Sequence, residues 1–142
     1  MTLLVTIDTD PTFEPKHALP LPERLIAGSP SFKTWAQDES RGETVKTGIW
    51  EATPGETHSI KGTTFEFCHI LSGLVEIEEK GGETKTYRAG DSFFEAPGAH
   101  HVIGRNASST EPAKLLAVFV VDSNDKALTV YDQAEQKQGH KQ

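Results

Sequence analysis

The stretch EAPGAHHVIGRN, residues 95–106, sets His100 and His101 just after a Pro-Gly turn. Imidazoles can ligate a metal or move a proton near neutral pH, so the pair raises the question of a metal site. A carboxyl group of equal interest stands upstream in TFEFCHIL, residues 64–71. With a strand's period of two, Glu66, Cys68 and Ile70 share one face, and Phe65, Phe67, His69 and Leu71 the other. Both faces are largely apolar, so this strand, like KLLAVFVV at 114–121, is expected to be covered on both sides. Glu66 then points into an apolar interior, where a carboxylate must be paired, hydrogen-bonded or bound to a metal. It is an acid/base group, substrate anchor or ligand on one reading, and a structural carboxylate bonded to backbone or to His101 on the other. Burial disfavours its ionised form, which suits proton transfer at working pH.

Other reactive types have plainer roles beside the sharper ones. Cys68 shares the face of Glu66, where a free cysteine is usually a small hydrophobe. Trp50 and Trp35 are expected in core or interface packing, although Trp50 at a barrel mouth would stack on a ligand. His69 packs with Phe67 and Leu71, and Asp91 fits a turn. Arg105 either binds an anionic substrate or is a solvated loop arginine. His100 faces opposite to His101 along a strand and is assigned to surface or interface.

The elements that must position these groups are short strands. VKTGIWE, TFEFCHIL, LVEIEEK, ETKTYR, DSFFEA, HHVIG and KLLAVFVV alternate with turns at Pro54-Gly55, Gly73, Gly81-Gly82, Gly90 and Pro97-Gly98. Regular short strands imply a sandwich or barrel. Pro11, Pro15, Pro20, Pro22 and Pro30 make residues 1–30 an extended arm laid over the domain. The barrel is expected over 31–131, and the polar segment 132–142 reads as a flexible tail. There is no internal repeat.

A chain of 142 residues suits one domain, with 35% hydrophobic and 25% charged residues. A net charge of -7 argues against nucleic acid or an anionic membrane as partner. A lone cysteine excludes an internal disulfide framework and is compatible with a reducing cytosol. The opening MTLLVTIDTD has no basic region and meets Asp8 and Asp10, so it is not read as a signal peptide, and a cytoplasmic location is expected. The sequon at Asn106-Ala-Ser108 is then coincidental.

Glu66, followed by six residues and Gly73 in EFCHILSG, resembles the second half of the first cupin motif. The second motif resembles GDSFFEAPGAHHVIGRN, with Gly90 and Gly98 on the motif glycines. That alignment puts Ala96 where proline is usual, His101 on the ligand histidine, and Asn106 one residue late. RLIAGSPSFKTWAQDESRGETVKTGIWEATPGETHSIKGTTFEFCHILSG is similar to the small stand-alone cupins of domain-of-unknown-function group 861, the ureidoglycine-aminohydrolase-like cupins. The resemblance covers roughly residues 24 to 121 and implies an all-β fold, a double-stranded β-helix or jelly-roll cupin barrel. After Pro97 the chain is more like ordinary single-domain cupins. Substrate is not carried over, because folds of this kind host many chemistries.

A metal-binding cupin supplies His-x-His three or four residues before the glutamate. Here those positions hold Ile60 and Gly62, or Ser59 and Lys61, none of them an imidazole. His58 is out of register and would serve only if the loop TPGETHSIKGTT folded inward. Stable sites use three or four protein ligands, so no tightly bound cofactor is expected. A weakly held divalent metal on Glu66, His101 and His58 is the alternative. The functions left open are acid/base chemistry by Glu66 and His101 on a small polar metabolite, a binding or sensing module without chemistry, and a metal-dependent cupin with a reduced ligand set. Trp50, His58, Cys68 and Arg105 are the candidate ligand-binding residues. A homodimer is the expected assembly, because an apolar strand and a Pro-rich arm invite cover by a second copy.

Because 132–142 has almost nothing apolar to bury, its removal should leave thermal stability nearly unchanged. A truncated chain that melts much earlier would show that the segment docks.

Overall fold

Alternating side chains and glycine turns assemble here into two facing antiparallel sheets. The computed structural model describes residues 4–38, 44–60 and 64–120, except for the side chains of Ser59, Ile60 and His101. Its strands are β1 (Lys16–Ala18), β2 (Leu25–Gly28), β3 (Phe32–Asp38), β4 (Val45–Ala52), β5 (Gly55–Ile60), β6 (Phe65–Ser72), β7 (Leu74–Glu79), β8 (Thr84–Arg88), β9 (Ser92–Glu95), β10 (His100–Asn106) and β11 (Ala113–Val120). One sheet has the order β1-β3-β4-β11-β6-β9, the other β2-β5-β10-β7-β8. This is the expected jelly-roll barrel, with no α-helix among the described residues.

Two segments of the extended arm form edge strands. β1 pairs with β3 and β2 with β5, each at the margin of its sheet. Proline is tolerated at an edge, and the prolines of this region flank the paired residues, so the short stretches between them keep their N–H groups for the ladder. Before β1 the chain does lie over the barrel. The Trp35 indole N–H donates to the Phe13 carbonyl at 2.8 Å, and the Asp8 N–H donates to Gln37 Oε1 at 2.8 Å.

The core lies between the sheets. Cys68, Ile70, Leu115 and Ala117 are buried together, with Trp50, Val75, Tyr87, Phe93 and Phe119 packed around them. Alternation along β6 and β11 is as the sequence implied on this inner face. Their outer face is less covered than expected: Phe65, Phe67, His69, Leu71, Leu116 and Val118 are half-buried, and Phe94 beside them on β9 is 65% exposed. Cover from the arm is seen at Trp35, which is buried, and at Lys114, whose Nζ lies 3.7 Å from Asp10 Oδ1.

Two contacts close the barrel at the β6–β7 hairpin. Asn106 is buried and its amide Nδ2 donates to the carbonyls of Ala52 at 3.0 Å and Glu111 at 2.8 Å. Gly73 turns the hairpin at φ +91°, and a Cβ there would stand 2.6 Å from the Ala113 Cα.

Gly73→Ala therefore combines backbone strain with a collision against main chain and should lose roughly 2–4 kcal/mol in urea unfolding. Gly90 has a similar φ of +94° but open space around it, so Gly90→Ala should lose only about 1 kcal/mol. Equal losses at the two glycines would show that the contact with Ala113 yields freely.

Candidate functional site

β6 carries Glu66 into the barrel, where it is 6% exposed. The β11 register sets Phe119 opposite it on one side, and the β9 register sets Glu95 opposite it on the other. Glu95 is 7% exposed. Directly opposed residues of an antiparallel pair share a face with Cβ atoms about 4.5–5.5 Å apart, so two carboxyl groups meet inside the barrel. Through Phe119 the same row reaches Lys46 of β4, which is half-buried. Cys68, two residues along β6 and 2% exposed, donates its thiol to Glu66 Oε2 at 3.1 Å.

Both carboxyls open on a cavity of about 410 Å³ between the sheets. Its walls include Trp50, Phe93, Leu115 and Phe119 on one sheet, and Val75 and Ile77 on the other. Trp50 is held flat against Phe32, with ring centres 5.1 Å apart and planes 25° apart. Polar groups converging in an apolar cleft are the usual makings of a small-molecule site.

The other expected site residues divide. Trp50, Cys68, His58 and Arg105 all join Glu66 in lining the cavity, but the last two are engaged by other groups. His101 lies in β10, with its backbone opposite Ser59 and Glu79, and its side chain is outside the described residues. His58 is on strand β5 rather than in a loop, because Gly55–Ile60 pairs with both β2 and β10. Its imidazole Nε2 lies 2.8 Å from the Glu23 carbonyl and ties down the Pro22–Arg24 turn. Arg105 is likewise on a strand. It is gripped by Glu76 Oε1 at 2.6 Å from Nη1, while Glu56 Oε2 stands 3.2 Å from Nε, close as an ion pair but out of line for a hydrogen bond. An arginine already flanked by two carboxylates is poorly placed to receive an anion. His69 is on the outer face, bonded to Ser92 Oγ at 2.7 Å.

The residues present do not fit the three-histidine, one-glutamate metal set of metal-binding cupins. The two upstream histidine positions hold other residue types, His58 is committed to the Glu23 carbonyl, and the described residues contain no group of three or more His, Cys, Asp or Glu arranged around one point.

Glu95 escaped the sequence reading. The parity that places Glu66 inward applies equally to Ser92-Phe93-Phe94-Glu95, where Phe93 faces the core and Glu95 must follow it.

The model of the EutQ-like cupin domain matches residues 39–114. Among solved structures, the chain is similar to a protein of unknown function of the DUF861 family from Pseudomonas syringae pv. tomato, at TM-score 0.68 and 23% identity over 80% of this chain and 46% of that one. It thus spans under half the length of that protein. A predicted oxalate decarboxylase from Thermotoga maritima is similar at TM-score 0.63 and 18% identity, over 84% of this chain and 100% of that one. The EutQ protein of Clostridium difficile is similar at 0.54 and 16%, over 69% and 75% respectively. No curated protein matches the sequence.

Proposed function

The chain belongs to the EutQ-like cupin family, and from that membership we propose that it is a small-molecule cupin whose barrel cavity takes a small polar metabolite, with Glu66 as the reacting or anchoring group. One observation supports this most: Glu66, a residue only 6% exposed, lines a cavity large enough for a metabolite instead of being packed away. Folding gains nothing from a buried acid that an apolar side chain would not supply better, so its presence there favours a role in binding or catalysis. In the catalytic form of this reading, Glu66 takes a proton from the substrate as general base and His101, across the barrel on β10, returns one as general acid. The Cys68 thiol donates to Glu66 Oε2 and orients the carboxyl to receive it. Apolar walls exclude water and strengthen each electrostatic contact. The donor set favours chemistry without a resident metal.

Native mass spectrometry of the protein incubated with pools of small polar metabolites is expected to show a bound molecule that is lost in Glu66→Gln. Binding without turnover would keep the pocket and remove the acid/base step. No adduct from any pool would overturn the pocket reading.

Elemental analysis tests the metal-free part. Well under one equivalent of Mn, Fe, Ni, Zn or Cu per chain is expected, unchanged in Glu66→Gln. Near-stoichiometric metal that disappears in this variant would restore a metal-dependent cupin.

A further inference from the structure

At one margin of the barrel the two sheets are joined by chain that belongs to neither. β1 is the edge of one sheet and β2 the edge of the other, and no ladder links them. The connection between the two, Leu19–Arg24, therefore crosses from sheet to sheet, and Leu19, Pro20, Leu21 and Arg24 all line the cavity. Leu21 is the side chain that this crossing buries, at 8% exposed, whereas Leu19 beside it is 66% exposed. The opposite margin, between the edges β8 and β9, is filled differently: Tyr87 and Phe93 meet across it with ring centres 4.5 Å apart. The two margins are thus unlike, one filled by packed rings and the other crossed by a link.

The link is stiff in itself. Pro20 and Pro22 fix φ on either side of Leu21, and the Arg24 N–H donates to the Leu21 carbonyl at 2.8 Å. Its flanking ladders are short, with three registered pairs each, and a bulge interrupts the one between β2 and β5. His58 reaches it from β5, with Nε2 2.8 Å from the Glu23 carbonyl. A rigid piece hung between short edge ladders opens at lower free energy than the core strands behind it.

We propose that Leu19–Arg24 is a strap over the entrance of the cavity, with Leu21 as the plug that closes it and His58 as a latch that holds it through the Glu23 carbonyl. The inference rests on the cavity being the binding site and adds how a molecule reaches it. His58 then governs access and takes no part in the chemistry. An Nε2–H is present in the imidazolium and in one neutral tautomer, so the latch needs no charge.

Cys68 supplies the readout. It is the single cysteine of the chain, 2% exposed and lining the cavity, so its alkylation reports entry without any ligand. The full chain is treated with excess iodoacetamide at mildly alkaline pH, from zero urea to concentrations below the unfolding transition, and labelling is followed by mass spectrometry. Wild-type labelling is expected to be slow and nearly independent of urea, as for an opening that exposes little surface. His58→Ala removes a hydrogen bond of the closed state and should speed labelling roughly three- to tenfold, and Leu21→Ala should speed it about tenfold or more. His58→Gln, whose amide can still donate to the Glu23 carbonyl, should fall between the wild type and His58→Ala. Gly90→Ala strains the turn between β8 and β9, at the other margin, and should leave the rate without urea unchanged. Labelling of the wild type at the rate of an exposed thiol, labelling that rises with urea as steeply as global unfolding, or an acceleration in Gly90→Ala equal to that in His58→Ala would overturn the strap and leave the pocket standing. A strap that opens as expected over a cavity for which no metabolite pool gives an adduct would sink the pocket reading alone.

Discussion

The double pairing of β11 is the constraint from which the site follows. β11 is laddered to β4 along its whole length and, in one continuous register from Leu115 to Val120, to β6 on the other side. Because successive side chains alternate, a slip of one residue in either ladder would turn every inward group outward. The register in place aligns Lys46, Phe119, Glu66 and Glu95 across four strands, and aligns Ala36, Gly48, Ala117, Cys68 and Phe93 in the row beside them. Small residues dominate the second row, so the space they leave is the cavity, and the first row sets its chemistry. The site is thus a product of hydrogen-bonded backbone, not of loops.

Charge is arranged differently on the two sheets. On the second, Arg105 stands between Glu56 and Glu76 on the neighbouring strands, a cross-strand arrangement in which each charge has an opposite neighbour. On the first, Glu66 and Glu95 are opposed across β6 and β9 and both are buried, so the ion pairs that brace the barrel and the carboxyls that line its cavity belong to different sheets.

Much of this was legible from residues. The seven strands with alternating apolar residues appear within a residue or two of the expected bounds, because period-two burial on a barrel wall leaves a direct trace. β5 left no such trace: Gly55-Glu-Thr-His-Ser-Ile60 is mostly polar, and only its ladders to β2 and β10 make it a strand. β3 was overlooked for another reason, since its Trp35 is buried by the arm on the outer face while Thr34 and Ala36 face a cavity, which blurs the pattern. The inward direction of Glu66 was readable from its own strand. Its partner Glu95 required the register between β6 and β9, and no spacing within one segment encodes that. Arg105 and His58 looked available because their partners, Glu56, Glu76 and the Glu23 carbonyl, are distant in sequence or on strands not recognised as neighbours.

The amide of Asn106 also bears on how the molecule ages. Asparagine deamidates when the next residue's backbone nitrogen attacks the side-chain carbonyl carbon and closes a succinimide ring. Here that nitrogen, on Ala107, is engaged with the Leu74 carbonyl at 2.8 Å, and the Asn106 Oδ1 accepts the Ser108 N–H at 2.9 Å while Nδ2 serves two carbonyls. Nucleophile, electrophile and leaving amine are each fixed by a separate part of the barrel, so the ring cannot close without opening the fold. Storage damage at this position would accordingly report on unfolding, making Asn106 a chemical clock for the time the barrel spends open.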